Sequence, residues 1–224
     1  MKRSLLHIAC AGLMSALLYV PGANAQQTSP GLPASATGIV VVELINLHCP
    51  RCRAVNDSEP VLKQAALAAG EDLRVAPLAY TNQSPWPDRV YYAVRDLYPG
   101  SEDLVRETLF DGIQTDGLEF EDLPQVLSYL QAHEIPQKLA TQFPNFSLNA
   151  IADQASSDAP MYSEAKAARL VSQSGAAAVP VFLWVKDGQI IDAVSPSSDD
   201  EGGPQLVQEV LHRLQTKTAA PAAH

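Results

Sequence analysis

Two thiols three residues apart are the most reactive groups this sequence offers. Cys49 and Cys52 stand in the run His48-Cys49-Pro50-Arg51-Cys52. A dithiol that exchanges with other disulfides needs a nucleophilic thiolate, a second thiol within bridging distance and a setting that holds the charge. Proline has a preset φ suited to the first position of a helix. Pro50 therefore predicts a helix start, with Cys49 facing unpaired N–H groups and the positive end of the helix dipole. Both favour thiolate over thiol. Cys52 falls one turn later, on the same side of the helix and less accessible, as suits the resolving partner. Arg51 between them is permanently charged and adds Coulombic support. A stabilised reduced form makes the disulfide a stronger oxidant, with roughly 30 mV for each tenfold change in the equilibrium.

Two other chemistries use the same residues. A stabilising disulfide is one, but so short a loop removes little unfolded-state entropy. A metal site built on His48, Cys49 and Cys52 is the other. A closed zinc site wants four ligands at recognisable spacing, and no second CxxC and no HxxxH is present. Redox exchange fits best, with neither metal nor cofactor expected.

The elements that must position these residues follow from periodicity. Gly38 to Ile45 is a nearly continuous β-branched run, as in a strand buried on both faces, and Glu43 is its one charge. Asn46-Leu47-His48 leads into a helix whose apolar side is Val55, Leu62, Ala65, Ala66 and Leu67. This helix is expected to kink at Pro60 and to end at Gly70. Leu73 to Ala79 reads as a second strand, so residues 38–84 form a β-α-β unit with both cysteines in its first turn. Residues 85–173 carry apolar residues at helical spacing, far too many for an ordinary connection, and read as an inserted helical subdomain. Residues 174–216 return to strand character: Val179 to Val185, the turn signal Asp187-Gly188, then Gln189 to Val194. A closing helix spans Gly203 to Gln215. The fold class is α/β.

The ends indicate the compartment. Lys2 and Arg3, the apolar stretch from Leu5 to Val20, and Ala23-Asn24-Ala25 have the order of a signal peptide over residues 1–25, cleaved after Ala25. A spanning helix needs about 20 apolar residues, more than this run supplies. Cys10 is a poor lipidation site, because His7 occupies a position that is usually aliphatic. Residues 26–37 are a flexible lead-in and 217–224 a flexible tail. No later segment predicts stable membrane insertion. The chain carries a formal charge of −10, and losing Lys2 and Arg3 makes it more negative still. Such a protein repels nucleic acid and anionic lipid. With 46% hydrophobic residues it can build a core without disulfide staples.

A strand, CPxC at a helix start, a helical insertion and then Val-Pro opening a hairpin resemble, in that order, the DsbA family of periplasmic disulfide oxidoreductases. The likeness covers most of residues 38 to 216. Ala177-Ala178-Val179-Pro180-Val181 matches the loop that carries a cis-proline facing the active-site disulfide. The resemblance implies a thioredoxin-like fold with an inserted helical subdomain, a cis Val179-Pro180 bond, and pairing of the Val179 backbone with a substrate strand. It also implies export to the periplasm, reduced or unfolded exported proteins as clients, and a DsbB-like membrane redox partner. Glu43 stands where the family has a buried acid near the disulfide. It is expected either to shuttle a proton near Cys52, with a raised pKa, or to sit at a strand edge in solvent; Arg74 is a candidate partner.

The sequence also departs from the family. The residues before the motif are usually aromatic, whereas here they are Asn46, Leu47 and His48. His48 either lends charge to the thiolate when protonated or fills the aromatic's place. Arg51 replaces a familiar histidine, so the potential does not carry over. Trp86, Tyr91 and Tyr92 are candidates for a groove wall, although helical spacing more often means core. An isomerase or reductase kept reduced, and a peptide-binding or chaperone module with an inert disulfide, are the alternative functions.

Overall fold

The computed structural model describes residues 35–198 and 202–218. The expected signal peptide (residues 1–25), residues 26–34 of the expected lead-in and the tail from residue 219 lie outside the described residues. Strand β1 (Ile39–Ile45) is followed by α1 (Pro50–Asn56), α2 (Glu59–Ala68) and β2 (Asp72–Pro77). Helices α3 (Trp86–Leu97) and α4 (Glu102–Phe110) come next, and α4 runs straight into a π-helical turn over Asp111–Thr115. Helices α5 (Leu123–Ala132), α6 (Ile135–Gln142), α7 (Leu148–Ala155) and α8 (Asp158–Ser174) complete the insertion. Strands β3 (Val181–Lys186) and β4 (Gln189–Val194) and helix α9 (Gly203–Thr218) close the chain.

The sheet has the order β2-β1-β3-β4. β1 runs parallel to β2 and antiparallel to β3, and β4 returns antiparallel to β3. The β3–β4 turn places Asp187 at φ 50° and Gly188 at φ 78°, the left-handed pair that a two-residue hairpin requires. β1 is thus interior, which accounts for its unbroken apolar sequence. Side chains alternate across it. Val41 packs with Val55, Leu62, Trp184, Leu206 and Val210 under α1, α2 and α9. Leu44 faces the other way, with Leu183 and Ala167 of α8. Trp184 is fully buried, and its indole N–H donates to Glu71 Oε2 at 2.7 Å. A separate apolar cluster fills the helical insertion and reaches Ile45, Leu47, Cys52 and Val179 of the sheet domain. No helix among the described residues is long and apolar enough to cross a membrane.

The structure refines the sequence expectations in detail. The helix expected to kink at Pro60 is two helices instead, broken at Asp57-Ser58, where Ser58 N–H bonds Val55 O at 2.8 Å. Pro60 then sits in the first turn of α2, where its missing N–H costs nothing. β2 starts one residue earlier than expected and ends at Pro77, although Leu78 N–H still reaches Ile45 O at 2.9 Å. Tyr91 and Tyr92 are core residues: their hydroxyls donate to Val75 O at 3.1 Å and Pro77 O at 2.7 Å. Trp86 is half-buried with the Arg89 guanidinium stacked over its ring.

Candidate active site

The chain leaves β1 through a tight turn in which Cys49 N–H bonds Asn46 O at 3.0 Å. Cys49 is extended (φ −86°, ψ 115°) and α1 begins at Pro50, so Cys49 is the residue that caps α1. Its sulfur takes the place of a capping oxygen, accepting the Cys52 backbone N–H at 3.3 Å. Cys49 is half-buried and Cys52 fully buried, and both are thiols in this structure.

This geometry separates the two acidities. Cys49 is lowered from 9.0 to about 6. The largest cause is the hydrogen bond from the Cys52 side chain, which overcomes the opposing effect of burial. The backbone N–H groups of Cys52 and Arg51 follow, and the Arg51 charge comes last. Cys52 is pushed well up, chiefly by burial and then by its bond to Cys49 and the Cys49 charge. The Asn46 N–H, 3.5 Å from Cys52 Sγ, opposes this weakly. The pair therefore holds one thiolate and one thiol near neutrality. Arg51 also reaches across the site, with Nη2 3.4 Å from Ser198 O.

A cleft of about 720 Å³ opens in front of Cys49, between a wall at Tyr80 and Gln83 and a wall at Ala177, Ala178 and Val179. Pro50, Arg51 and His48 also face it. The Val179–Pro180 peptide bond is cis, and Val179 O accepts the Cys49 thiol at 3.5 Å. His48 is half-buried, with its backbone N–H held by Asn46 Oδ1 at 2.9 Å.

Glu43 is 2% exposed on the interior strand, so the solvent-edge placement does not hold. Burial raises its carboxyl from 4.5 to about 7, against the pull of Arg106 and Lys63. Its charge in turn adds to the raising of Cys52. Arg74 is not its partner. In the β1–β2 register Arg74 lies beside Val42, while Val75 is beside Glu43, so Arg74 emerges on the opposite face and its Nε bonds Asp72 Oδ2 at 2.6 Å. The cation that acts most on Glu43 is Arg106 of α4, buried in an ion pair with Glu59 and held by Asn56 Oδ1 at 2.6 Å.

Sequence reading also passed over the groups that support the turn. Gln114, on the π-helical turn, donates from Nε2 to Leu47 O at 2.7 Å and Cys49 O at 3.1 Å. Asp111 at the start of the same turn pairs with Arg53 of α1 at 2.5 Å. π-Helical turns frequently mark functional sites, but no sequence period announces one. Asn46 carries a sequence signal, an amide directly after an apolar run, and the structure buries it. Among the described residues no cluster of three or more His, Cys, Asp or Glu could hold a metal.

No protein-family model matches the sequence, and no curated protein matches it. Solved structures do match. DsbA from Pseudomonas aeruginosa is 17% identical with a TM-score of 0.56, over 86% of this chain and 91% of that one. DsbA from Xylella fastidiosa is 16% identical with a TM-score of 0.54, over 81% and 88%. The cytosolic disulfide reductase DsbM from Pseudomonas aeruginosa is 13% identical with a TM-score of 0.55, over 79% and 99%. At such identities the likeness establishes architecture: the chain has the DsbA-like fold, a thioredoxin-like α/β domain with a helical insertion between its halves.

Proposed function

We propose that this chain is an exported protein-disulfide oxidoreductase that introduces disulfides into client proteins through Cys49 and Cys52. The observation that carries the reading is the split between the two sulfurs: a thiolate-favouring Cys49 at the mouth of a cleft, and a buried Cys52 that keeps its proton. In the oxidised protein a client thiolate attacks Cys49 Sγ, the Cys49–Cys52 bond breaks, and Cys52 leaves with the electron pair and takes a proton. Glu43, with a carboxyl near neutrality behind Cys52, supplies or relays that proton. A second client thiolate then attacks the client sulfur of the mixed disulfide, and Cys49 departs as a thiolate. The client has lost two electrons and the protein holds a dithiol. A DsbB-like membrane partner accepts those electrons and restores the disulfide.

Val179 serves the client backbone in this scheme. In the dithiol its carbonyl is occupied by the Cys49 thiol. Once that proton is gone, or the disulfide has formed, the carbonyl is available to a client strand lying along Ala177, Ala178 and Val179. Pro180 shapes this wall, and Pro50 and Arg51 form the floor beside the sulfur. His48 lines the cleft beside Cys49, at the position where the family usually has an aromatic residue.

The direction of electron flow follows from the stabilised Cys49 thiolate, which favours the reduced form of the protein and makes its disulfide oxidising. Equilibration of the mature chain with glutathione buffers tests this. A potential well above about −200 mV supports the oxidase, and a value near the roughly −270 mV of a thioredoxin identifies a reductase.

A further inference from the structure

The β2–α3 loop is bound to the cysteine turn by two side-chain amides that disulfide exchange, as set out above, does not use. Asn46 is 2% exposed. Its Nδ2 donates to Leu78 O at 2.8 Å and to Gln83 Oε1 at 2.6 Å, and its Oδ1 accepts His48 N–H at 2.9 Å. Gln83 Nε2 lies 3.4 Å from the same Oδ1. Both amide hydrogens are thus given and the oxygen is doubly engaged, the full capacity of an asparagine. Aspartate cannot donate and leucine offers nothing, so the residue type is dictated by this junction. Asn46 also touches both halves of the redox pair through its backbone, with its carbonyl on Cys49 N–H and its N–H toward Cys52 Sγ.

Gln83 carries the connection outward. Its Oε1 accepts Tyr80 N–H at 2.8 Å, and its own N–H bonds Tyr80 O at 2.9 Å. Tyr80 is a large aromatic residue left 45% exposed, and it lines the cleft opposite Val179. The hydrogen bonds lead without a gap from the end of β1 to the far wall of the cleft.

We propose that the Asn46–Gln83 amide pair is a positioning unit, which holds the turn bearing Cys49 and seats Tyr80 as the wall against which the client residues beside the reacting cysteine pack. Neither residue touches the reacting sulfurs with its side chain; both act through the turn and through Tyr80. This rests on Cys49 being the exchanging nucleophile.

Two variants of the full chain test it, Asn46→Leu and Gln83→Met, each nearly isosteric and each without the amide bonds. The first readout is Cys49 titration followed by thiolate absorbance in the reduced protein. The second is the KM and kcat for oxidation of a synthetic two-cysteine peptide. Loss of the pair is expected to move the Cys49 midpoint up by about one pH unit and to raise KM about tenfold, a change of roughly 1.4 kcal/mol in capture. Gln83→Glu keeps the oxygen that accepts from Asn46 and Tyr80, and is expected to return KM toward the parent value. A purely structural role would lower the melting temperature and leave the midpoint and KM at parent values; that result in folded variants overturns the proposal. If Asn46→Leu does not fold, the half-exposed Gln83→Met decides alone. Should the parent chain fail to oxidise the peptide, the oxidoreductase reading fails, while the Cys49 titration still decides the positioning role.

Discussion

The backbone N–H of Cys52 donates to Cys49 Sγ at 3.3 Å, so the first cysteine of the pair caps the helical turn that carries the second. The consequence is a division of labour: the half-buried Cys49 sulfur gains hydrogen bonds as an anion, and the buried Cys52 sulfur keeps its proton.

Alkylation of reduced Cys49 should follow a single titration with its midpoint near the value of about 6 to which the site lowers it. Because the Cys52 side chain is the leading cause and Arg51 the last, Cys52→Ala should raise the midpoint further than Arg51→Met does. The opposite ranking in iodoacetamide rates against pH would return the main electrostatic role to Arg51.

Glu43 gives the protein a stability that depends on pH. Its folded value of about 7 lies above the ordinary 4.5, so the folded state binds the proton more tightly. Its contribution is fully present below pH 4.5 and is lost as pH rises through 7. Glu43→Gln should therefore be close to neutral at pH 4 and stabilising at pH 8, on the order of 1–3 kcal/mol. Denaturant melts of the two proteins at both pH values check this, and equal differences at the two would count against a buried, titrating Glu43.

The same variant should slow formation of the dithiol from the oxidised protein, because the proton donor behind Cys52 is removed. Stopped-flow reduction by dithiothreitol across pH 5 to 9 should lose its inflection near 7 in Glu43→Gln. An unchanged profile would remove Glu43 from the proton path.

How much of this the sequence discloses depends on how local the cause is. The start of α1 at Pro50 has a local cause, as does the hairpin at Asp187-Gly188, and the interior strand shows in seven consecutive residues from Ile39. Two successive prolines illustrate the limit: Pro50 starts a helix as expected, whereas Pro60 also falls in the first turn of a helix rather than bending the first. The supporting shell is another matter. Gln83 lies 37 residues from Asn46, and Gln114 lies 65 from Cys49. Arg106 comes to Glu59 of α2 from α4, a helix of the insertion. Such contacts are made by tertiary packing between segments distant in sequence, and no period or spacing encodes them. Arg74 was the nearest cation by strand position, but the alternation of β2 turns it to the wrong face.

Arg106 is 3% exposed, and its loss would leave Glu59 and Glu43 without their buried cation. Breaking a buried pair by removing one partner costs about 3–5 kcal/mol. Arg106→Met should destabilise the protein by that order and push Glu43 further up; guanidinium melts measure the first effect. A loss below 1 kcal/mol, on the order of a surface pair, would mean that the network is solvated.

Gly112 supports the π-helical turn that carries Gln114. A Cβ there would stand 2.6 and 2.8 Å from atoms of the Phe120 ring. Gly112→Ala should cost about 1–3 kcal/mol by overpacking, and the displaced turn should loosen Gln114 from the carbonyls of Leu47 and Cys49. Thermal melts together with Cys49 alkylation rates test both, and an unaltered melting temperature would contradict the close approach.

The central claim, that Cys49 is the sulfur that exchanges with clients while Cys52 resolves, is tested most directly by trapping. Cys52→Ala, with Cys49 activated by a small aromatic disulfide, is incubated with a reduced client peptide, and the product is digested and mapped by mass spectrometry. A stable mixed disulfide should accumulate at Cys49, and the reciprocal Cys49→Ala protein should yield almost none. Equal trapping at Cys52, or none at either position, would contradict the account.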